Sequence, residues 1–418
     1  MAYTETTTTG YGTRVGNSFR SIGTGFMLFI VATALLWWNE GRAVKTDKML
    51  NEAEGAYVEM ENPNKKDASL DGELVCATAL ATTEDSLSDK QYGIGAKAIS
   101  LTRKVEYYQY VEEAKEKKED KLGGKEVTTT TYTYSQEWTS QPVQSGKFHD
   151  PAYQDKNFVL TTIEPEEQWA ETVCFGAYKL PESLFHRIGS AEPVELDAID
   201  SMQIVKWNKE MQQVVARQIG GKTDSLKLVH VNGNEIYYGY SSSSPNVGDV
   251  RVTFEKVVPA KVTVMAVVDG DTFKAYKAKN GKRFQTLVMG KKTAGEIFES
   301  EHAANNMWLW ALRILGVILV IGGLKGIFGF LETILKVVPF IANIFGWGVG
   351  LVCTVVGVVW SLIIIALAWL FYRPLIGIAL LAIAGFLIWI FAFKGKDKLK
   401  ELAAKANKKA EPMPAPAE

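Results

Sequence analysis

Apolar residues in this chain are segregated, not spread. Ile22–Trp38 is a run of 17 residues without a charge, and Met307–Leu324 has one charge, Arg313. Val337–Tyr372 and Pro374–Phe393 have none. A bilayer core takes about 20 apolar residues per helix. These stretches therefore predict four transmembrane helices: residues 22–38, 307–324, 344–372 and 374–393. The last two would be joined by a tight turn at Tyr372-Arg373-Pro374, with Pro374 in the first helical turn, where its missing N–H costs little. Trp37 and Trp38 close the first stretch, and Trp308 and Trp310 open the second, where an aromatic belt belongs. The first stretch also has the length of a secretory signal. No small-x-small cleavage site follows it, and the paired tryptophans favour a retained anchor. Residues 325–343 are apolar but carry Lys325, Glu332 and Lys336 and are interrupted by Pro339. They predict a helix lying in the interface, or a shallow hairpin.

Between the first two spans the period changes. Leu74–Leu80 and Leu101–Val111 read as strands, and Val127–Trp138 alternates Thr and Tyr. Residues 112–126 are nearly all charge plus Gly123-Gly124, which predicts a long hairpin with a solvated, charged loop at its tip. Pro181–Ile188 and Trp207–Ile219 read as helices, the second stopped by Gly220-Gly221. Leu226–Val231, Glu235–Tyr240, Asp249–Val257 and Lys261–Val268 then alternate with the turn signals Asn232-Gly233-Asn234 and Asp269-Gly270-Asp271. With Asn280-Gly281 they predict a small barrel or curled sheet. Thr293-x-x-Glu296 predicts a capping box that opens a helix running through His302 into the second span.

The expected fold class is a multi-span α-helical membrane protein with four transmembrane helices. A large extracytoplasmic, strand-rich α+β domain, residues 39–306, would be inserted between the first and second. A division into about 39–222 and 223–306 is one reading of it. Residues 1–21 read as a disordered cytoplasmic tail and 394–418 as a basic cytoplasmic tail.

Charge supplies the orientation. Arg14, Arg20, Lys325, Lys336 and seven lysines between Lys394 and Lys409 lie on the proposed inside, against Arg373 alone on the short outer turn. The positive-inside rule then puts both termini in the cytoplasm. Residues 40–306 carry 33 Lys+Arg against 41 Asp+Glu, net −8, which argues against nucleic acid as a partner. The localisation expected is integral to the membrane and multi-pass. In a bacterium this means the inner membrane with a periplasmic domain. In a eukaryote it means the endoplasmic reticulum or inner nuclear membrane with a lumenal domain.

Candidate chemistry is sparse. His149, His186, His230 and His302 have no second ligand at zinc-site spacing. Phosphate loops, nucleophile elbows and HExxH are missing from the sequence. No catalytic, cofactor or metal residue is expected, and no enzyme activity. Cys76 and Cys174 could pair, but one pair is no disulfide framework. Packing signals are stronger. Gly346, Gly350, Cys353, Thr354, Gly357 and Ser361 share one face of the third span, suited to close helix approach within the chain or between subunits. Trp37, Trp38, Asn39, Glu40, Arg42, Trp308, Trp310, Arg313 and Arg373 fall at the outer headgroup level. There Arg313 would snorkel or meet an acidic partner, and a Glu40–Arg373 pair would join the first span to the last turn, against simple solvation. Lys394, Lys396, Lys398 and Lys400 are candidate anionic-lipid contacts.

Several motifs are distinctive together. They are Trp38-Asn39-Glu40-Gly41-Arg42-Ala43-Val44, Val105-Glu106-Tyr107-Tyr108-Gln109-Tyr110-Val111 with Tyr134-Ser135-Gln136-Glu137-Trp138, Val247-Gly248-Asp249-Val250-Arg251-Val252-Thr253-Phe254, and Trp369-Leu370-Phe371-Tyr372-Arg373-Pro374-Leu375. In this order the chain resembles the LUMA family (transmembrane protein forty-three), and its plain Lys/Ala/Pro tail suggests a bacterial member. The resemblance implies a four-span, self-associating membrane scaffold with no catalytic motif. Membrane lipids, further copies of the chain and other membrane proteins are the expected partners. The lamin and emerin links of the animal members attach to no residue here. A transporter or channel component is the alternative, and a membrane enzyme a weaker one.

Overall fold

The computed structural model describes residues 2–189, 191–196, 199–219, 223–335 and 339–373, with isolated positions 378, 382–383, 385–386 and 389. The fourth expected span, 374–393, lies outside the described residues but for those isolated positions. So do Lys394, Lys396, Lys398 and Lys400 and the rest of the basic tail. Five α-helices stand among the described residues: α1 (Tyr11–Glu54), α2 (Glu182–Phe185), α3 (Ser201–Ile219), α4 (Ala294–Leu335) and α5 (Pro339–Tyr372). The chain divides into two units. One is strand-rich, with Met1–Thr7, Met49–Lys117 and Thr128–Glu301; the other is mainly helical, with Thr8–Lys48, Lys118–Val127 and His302–Glu418.

Two mainly antiparallel sheets build the strand-rich unit. The first orders Tyr3–Thr9, Glu126–Thr139, Ser100–Asp120, Val250–Val257, Glu235–Tyr238 and Val229–Asn232. The second orders Tyr178–Leu180, Val173–Phe175, Leu74–Thr82, Ala260–Asp269 and Thr272–Lys274. Successive strand residues point to opposite faces, and both faces of the second sheet are covered. Val75, Ala77, Val262 and Val264 meet Phe175, Tyr178 and the α2 residues Leu184 and Phe185. Leu74, Cys76, Met265 and Val267 meet Met49, Leu50 and Ala53 of α1 and Ala294, Ile297 and Phe298 of α4. That double burial is why Leu74–Thr82 and Ala260–Asp269 are almost continuously apolar. On the first sheet, α3 lays Trp207 and Met211 against Ile236, Val252 and Phe254.

Several expectations are corrected here. The strands after residue 226 do not close a barrel among themselves: Val250–Val257 pairs with Ser100–Asp120, and Ala260–Asp269 pairs with Leu74–Thr82. The charged run 112–120 is strand, not loop. The ladder continues through it, and the turn shrinks to the Lys121–Lys125 closure, where Gly123 and Gly124 take φ of +82° and +77°. α3 begins six residues before Trp207, because Asp200 Oδ1 accepts from Met202 N at 3.0 Å. Residues 2–21 are not a disordered tail. Tyr3–Thr9, rich in β-branched threonine, is a strand, and α1 starts at Tyr11. Cys76, Cys174 and Cys353 are all free thiols.

The Thr293–Glu296 box forms as read. Glu296 N donates to Thr293 Oγ1 at 3.2 Å and Thr293 N to Glu296 Oε2 at 2.8 Å. From there α4 continues without interruption past Lys325 to Leu335. Residues 326–335 are thus no separate element, and Pro339 opens α5, a position where its ring is tolerated. Among the described residues three helices are long and apolar enough to cross a membrane: Tyr11–Glu54, Ala294–Ile334 and Gly348–Tyr372.

Candidate functional site

In the helical unit a polar cluster forms from one face of each long helix. Glu40 and Asp47 are two turns apart on α1. His302, Asn305, Leu309 and Arg313 recur every three or four residues on α4, and Trp369 and Arg373 are one turn apart on α5. Helical periodicity alone brings each set onto a single stripe.

At its centre is a buried ion pair. Arg313 Nε donates to Glu40 Oε1 at 2.6 Å and Nη2 to Oε2 at 2.8 Å, a two-pronged fork. Both residues are buried, and Trp369 Nε1 donates a third bond to Glu40. The Arg313 guanidinium also lies 4.8 Å from the Trp310 ring centre and 5.1 Å from that of Trp369. Arg313 therefore meets an acidic partner, as one reading of the sequence allowed. The Glu40–Arg373 pair does not form. Arg373 sits a further turn along α5, where it binds Asp47, and Asp47 Oδ1 is 3.1 Å from His302 Nδ1.

Asparagines tie the same helices together. Asn39 Nδ2 donates to the Leu309 carbonyl at 3.0 Å, and Asn305 Nδ2 to the Ala43 carbonyl at 3.0 Å. Arg42 Nη1 reaches Asn305 Oδ1 at 3.3 Å, and Arg42 Nη2 reaches Asn39 Oδ1 at 3.3 Å. Gly41 leaves room for Tyr372: a Cβ there would lie 2.7 Å from the tyrosine oxygen. The expected headgroup-level residues on α1, α4 and α5 are thus brought together in part. Trp37, Trp38 and Trp308 stay exposed, as does Trp310 over much of its surface. Asp47, His302, Asn305 and Trp369 were missed by the sequence reading. Their signal was the polar stripe at the head of an apolar run, and a tryptophan one turn before Arg373.

Below this cluster the helices approach through glycines. A Cβ on Gly25 would lie 2.8 Å from the Gly323 carbonyl, and one on Gly323 2.8 Å from Phe29 N. The α5 face is placed against α4: a Cβ on Gly357 would reach Ile321 Cγ1 at 2.7 Å, and one on Gly346 would reach Glu332 Cδ at 2.6 Å. Gly350 is 4.0 Å from Lys325 by the same measure, and Cys353 and Ser361 are buried. Thr354 and Ser361 return their hydroxyls to Gly350 O and Gly357 O, at 2.7 Å each. This face packs within the chain.

Among the described residues no group of three or more His, Cys, Asp or Glu could hold a metal ion. In the strand-rich unit, burial pushes the Asp249 carboxyl above the usual carboxylate range, although Asn246 N and Tyr237 Oη donate to it at 2.8 and 2.5 Å.

A family model described as Transmembrane protein 43 matches residues 107–374. Proteins named Transmembrane protein 43 from Rattus norvegicus and Homo sapiens are 29% and 28% identical over 378 residues, which is 88% of this chain and 88% of each relative. The Transmembrane protein 43 homolog of Drosophila melanogaster is 27% identical over 366 residues, 85% of this chain and 90% of its own. No solved structure matches the chain.

Proposed function

Because the chain belongs to the transmembrane protein 43 family and is an integral membrane protein, we propose that it is a non-enzymatic membrane scaffold. In this reading the helical unit self-associates in the bilayer. The strand-rich unit, held on the extracytoplasmic side, binds protein or lipid.

The observation that carries the reading is where the polar groups of the long helices go. Glu40, Arg313 and Trp369 bond to one another across α1, α4 and α5. The hydroxyls of Thr33, Thr354 and Ser361 bond to carbonyls of their own helices. These groups fasten helices together instead of lining a wet path, which favours a scaffold over a transporter. Meanwhile Phe26, Ile30, Ile318, Val352 and Val356 leave apolar surface available to lipid or to a second copy.

The test is the mass of the detergent-solubilised particle by light scattering, with copurifying proteins and lipids identified by mass spectrometry. The expected result is a multiple of 46.2 kDa, or one copy carrying a bound protein. A bare monomer overturns the scaffold reading.

A further inference from the structure

We propose that the cavity beside the Glu40–Arg313 pair binds a zwitterionic phosphodiester headgroup of the phosphoethanolamine type. The cavity measures about 460 Å³ and is lined by Glu40, Asp47, His302, Asn306, Arg313 and Arg373 among others. That volume lies within the usual range of small-ligand sites.

Charge selects the class of ligand. The wall holds two guanidiniums and two carboxylates, arranged as two pairs. A bare anion would face Glu40 and Asp47, and a bare cation would face Arg313 and Arg373. A ligand with one charge of each sign meets both halves of the wall. Open donors supply the phosphate side. Arg313 engages Glu40 through Nε and Nη2, and Arg373 engages Asp47 through Nη2. Nη1 of each arginine makes no hydrogen bond among the described residues. A planar guanidinium with free N–H groups suits phosphate oxygens. The ammonium side has Asp47, whose carboxylate is part-exposed.

Position selects the source. Trp37, Trp38, Trp308 and Trp310, on the same turns as Glu40 and Arg313, are 39 to 57% exposed. Ile30, Val31, Ile314 and Ile318 are exposed on the adjoining turns. Exposed tryptophans next to exposed aliphatics mark the headgroup level of a bilayer. The cavity wall shares that level, and a lipid there need only tilt its headgroup inward.

The experiment uses the full chain in nanodiscs of phosphatidylethanolamine and phosphatidylglycerol in equal proportion. Retained lipid is read by native mass spectrometry. Phosphatidylethanolamine is expected to be held about tenfold more strongly than phosphatidylglycerol, and Arg373→Gln to lose about that factor. Asn306→Leu, which makes the cavity wall apolar at that point without breaking an ion pair, is expected to lose the same preference while the melting temperature holds. It keeps the test valid if Arg373→Gln misfolds. Soluble glycerophosphoethanolamine, the same phosphodiester without acyl chains, separates the two sources. Competition at equal concentration supports the headgroup chemistry with a free ligand, and binding of the lipid alone supports it with the membrane as source. Equal retention of all headgroups, a preference for phosphatidylglycerol, or an Asn306→Leu protein with unchanged preference overturns the proposal.

Discussion

The strand-rich and helical units each bury an arginine–carboxylate pair, and they surround it in opposite ways. In the strand-rich unit Arg103 meets Asp89 at 2.5 Å, beside Tyr92, against whose ring Phe254 and Trp207 pack edge-on. In the helical unit Arg313 meets Glu40 where helices otherwise touch through Gly25, Gly323 and Gly357. In water, apolar area removed from solvent drives packing, so a core is best built from large side chains. In hydrocarbon, lipid is as apolar as leucine, so backbone approach and polar bonds must hold helices together. The two units show one chain packed for two solvents.

The largest effect expected from that division is all-or-none. Arg14 binds Asp120 at 2.6 Å, Glu126 at 3.2 Å and the Gly124 carbonyl at 3.0 Å. Residue 14 and the ribbon tip must then lie on one side of a membrane. The orientation proposed from charge bias instead has Arg14 inside and residues 39–306 outside. A ribbon as charged as Glu112–Asp120 cannot cross about 30 Å of hydrocarbon. The bilayer is therefore expected to part the two. Arg14→Cys with Asp120→Cys should crosslink in detergent and not in membranes, and Leu122→Cys, at the exposed tip, should be labelled from outside. A crosslink in intact membranes would break the assignment of solvents.

Next in size is the removal of one charge from each pair. Glu40→Ala and Asp89→Ala should each cost about 3–5 kcal/mol, because an uncompensated arginine stays buried. The double replacements sharpen the contrast. Glu40 takes its bonds from two side chains, Arg313 and Trp369. Asp89 also accepts from the backbone N–H groups of Gln91 and Tyr92, at 2.9 and 3.0 Å. Glu40→Met with Arg313→Met should recover most of the loss. Asp89→Met with Arg103→Met should not, since unsatisfied buried groups cost about 1–3 kcal/mol each. Thermal unfolding of the four proteins in one detergent decides it, and equal recovery in both units would erase the distinction.

Legibility followed the same line. Apolar runs long enough to span could be read directly, because hydrocarbon constrains composition residue by residue. The capping box and the Gly-Asn turn at Gly233 were equally plain, being local chemistry. Partner choice was not. Glu40 faces Arg313 and not Arg373 because Arg373 lies a turn further along α5, beside Asp47, a relation set by how the helices cross and not by any one segment. Strand pairing failed similarly. Val250–Val257 and Ala260–Asp269 are neighbours in sequence yet join different sheets through Ser100–Asp120 and Leu74–Thr82. The charged strand 112–120 looked like a loop because no apolar face marks it. Its ladder comes from pairing, not burial.

The smallest effect separates the units by pH. Burial raises the Asp249 carboxyl above its ordinary value, against the donors Asn246 N and Tyr237 Oη. A group raised on folding takes up a proton more readily in the native state. Its contribution is fully present below the unfolded value, about 3.9, and is lost as pH rises through the higher folded value. Wild-type protein should therefore lose a little stability across that window. Asp249→Asn keeps an acceptor for both donors and has nothing to titrate, so its melting temperature should lack that component of the decline. Both proteins are to be unfolded thermally at a series of pH values from 4 upward, with the same probe for each. Parallel curves for the two would show that the Asp249 site is wet, and that the strand-rich core is less closed than its packing implies.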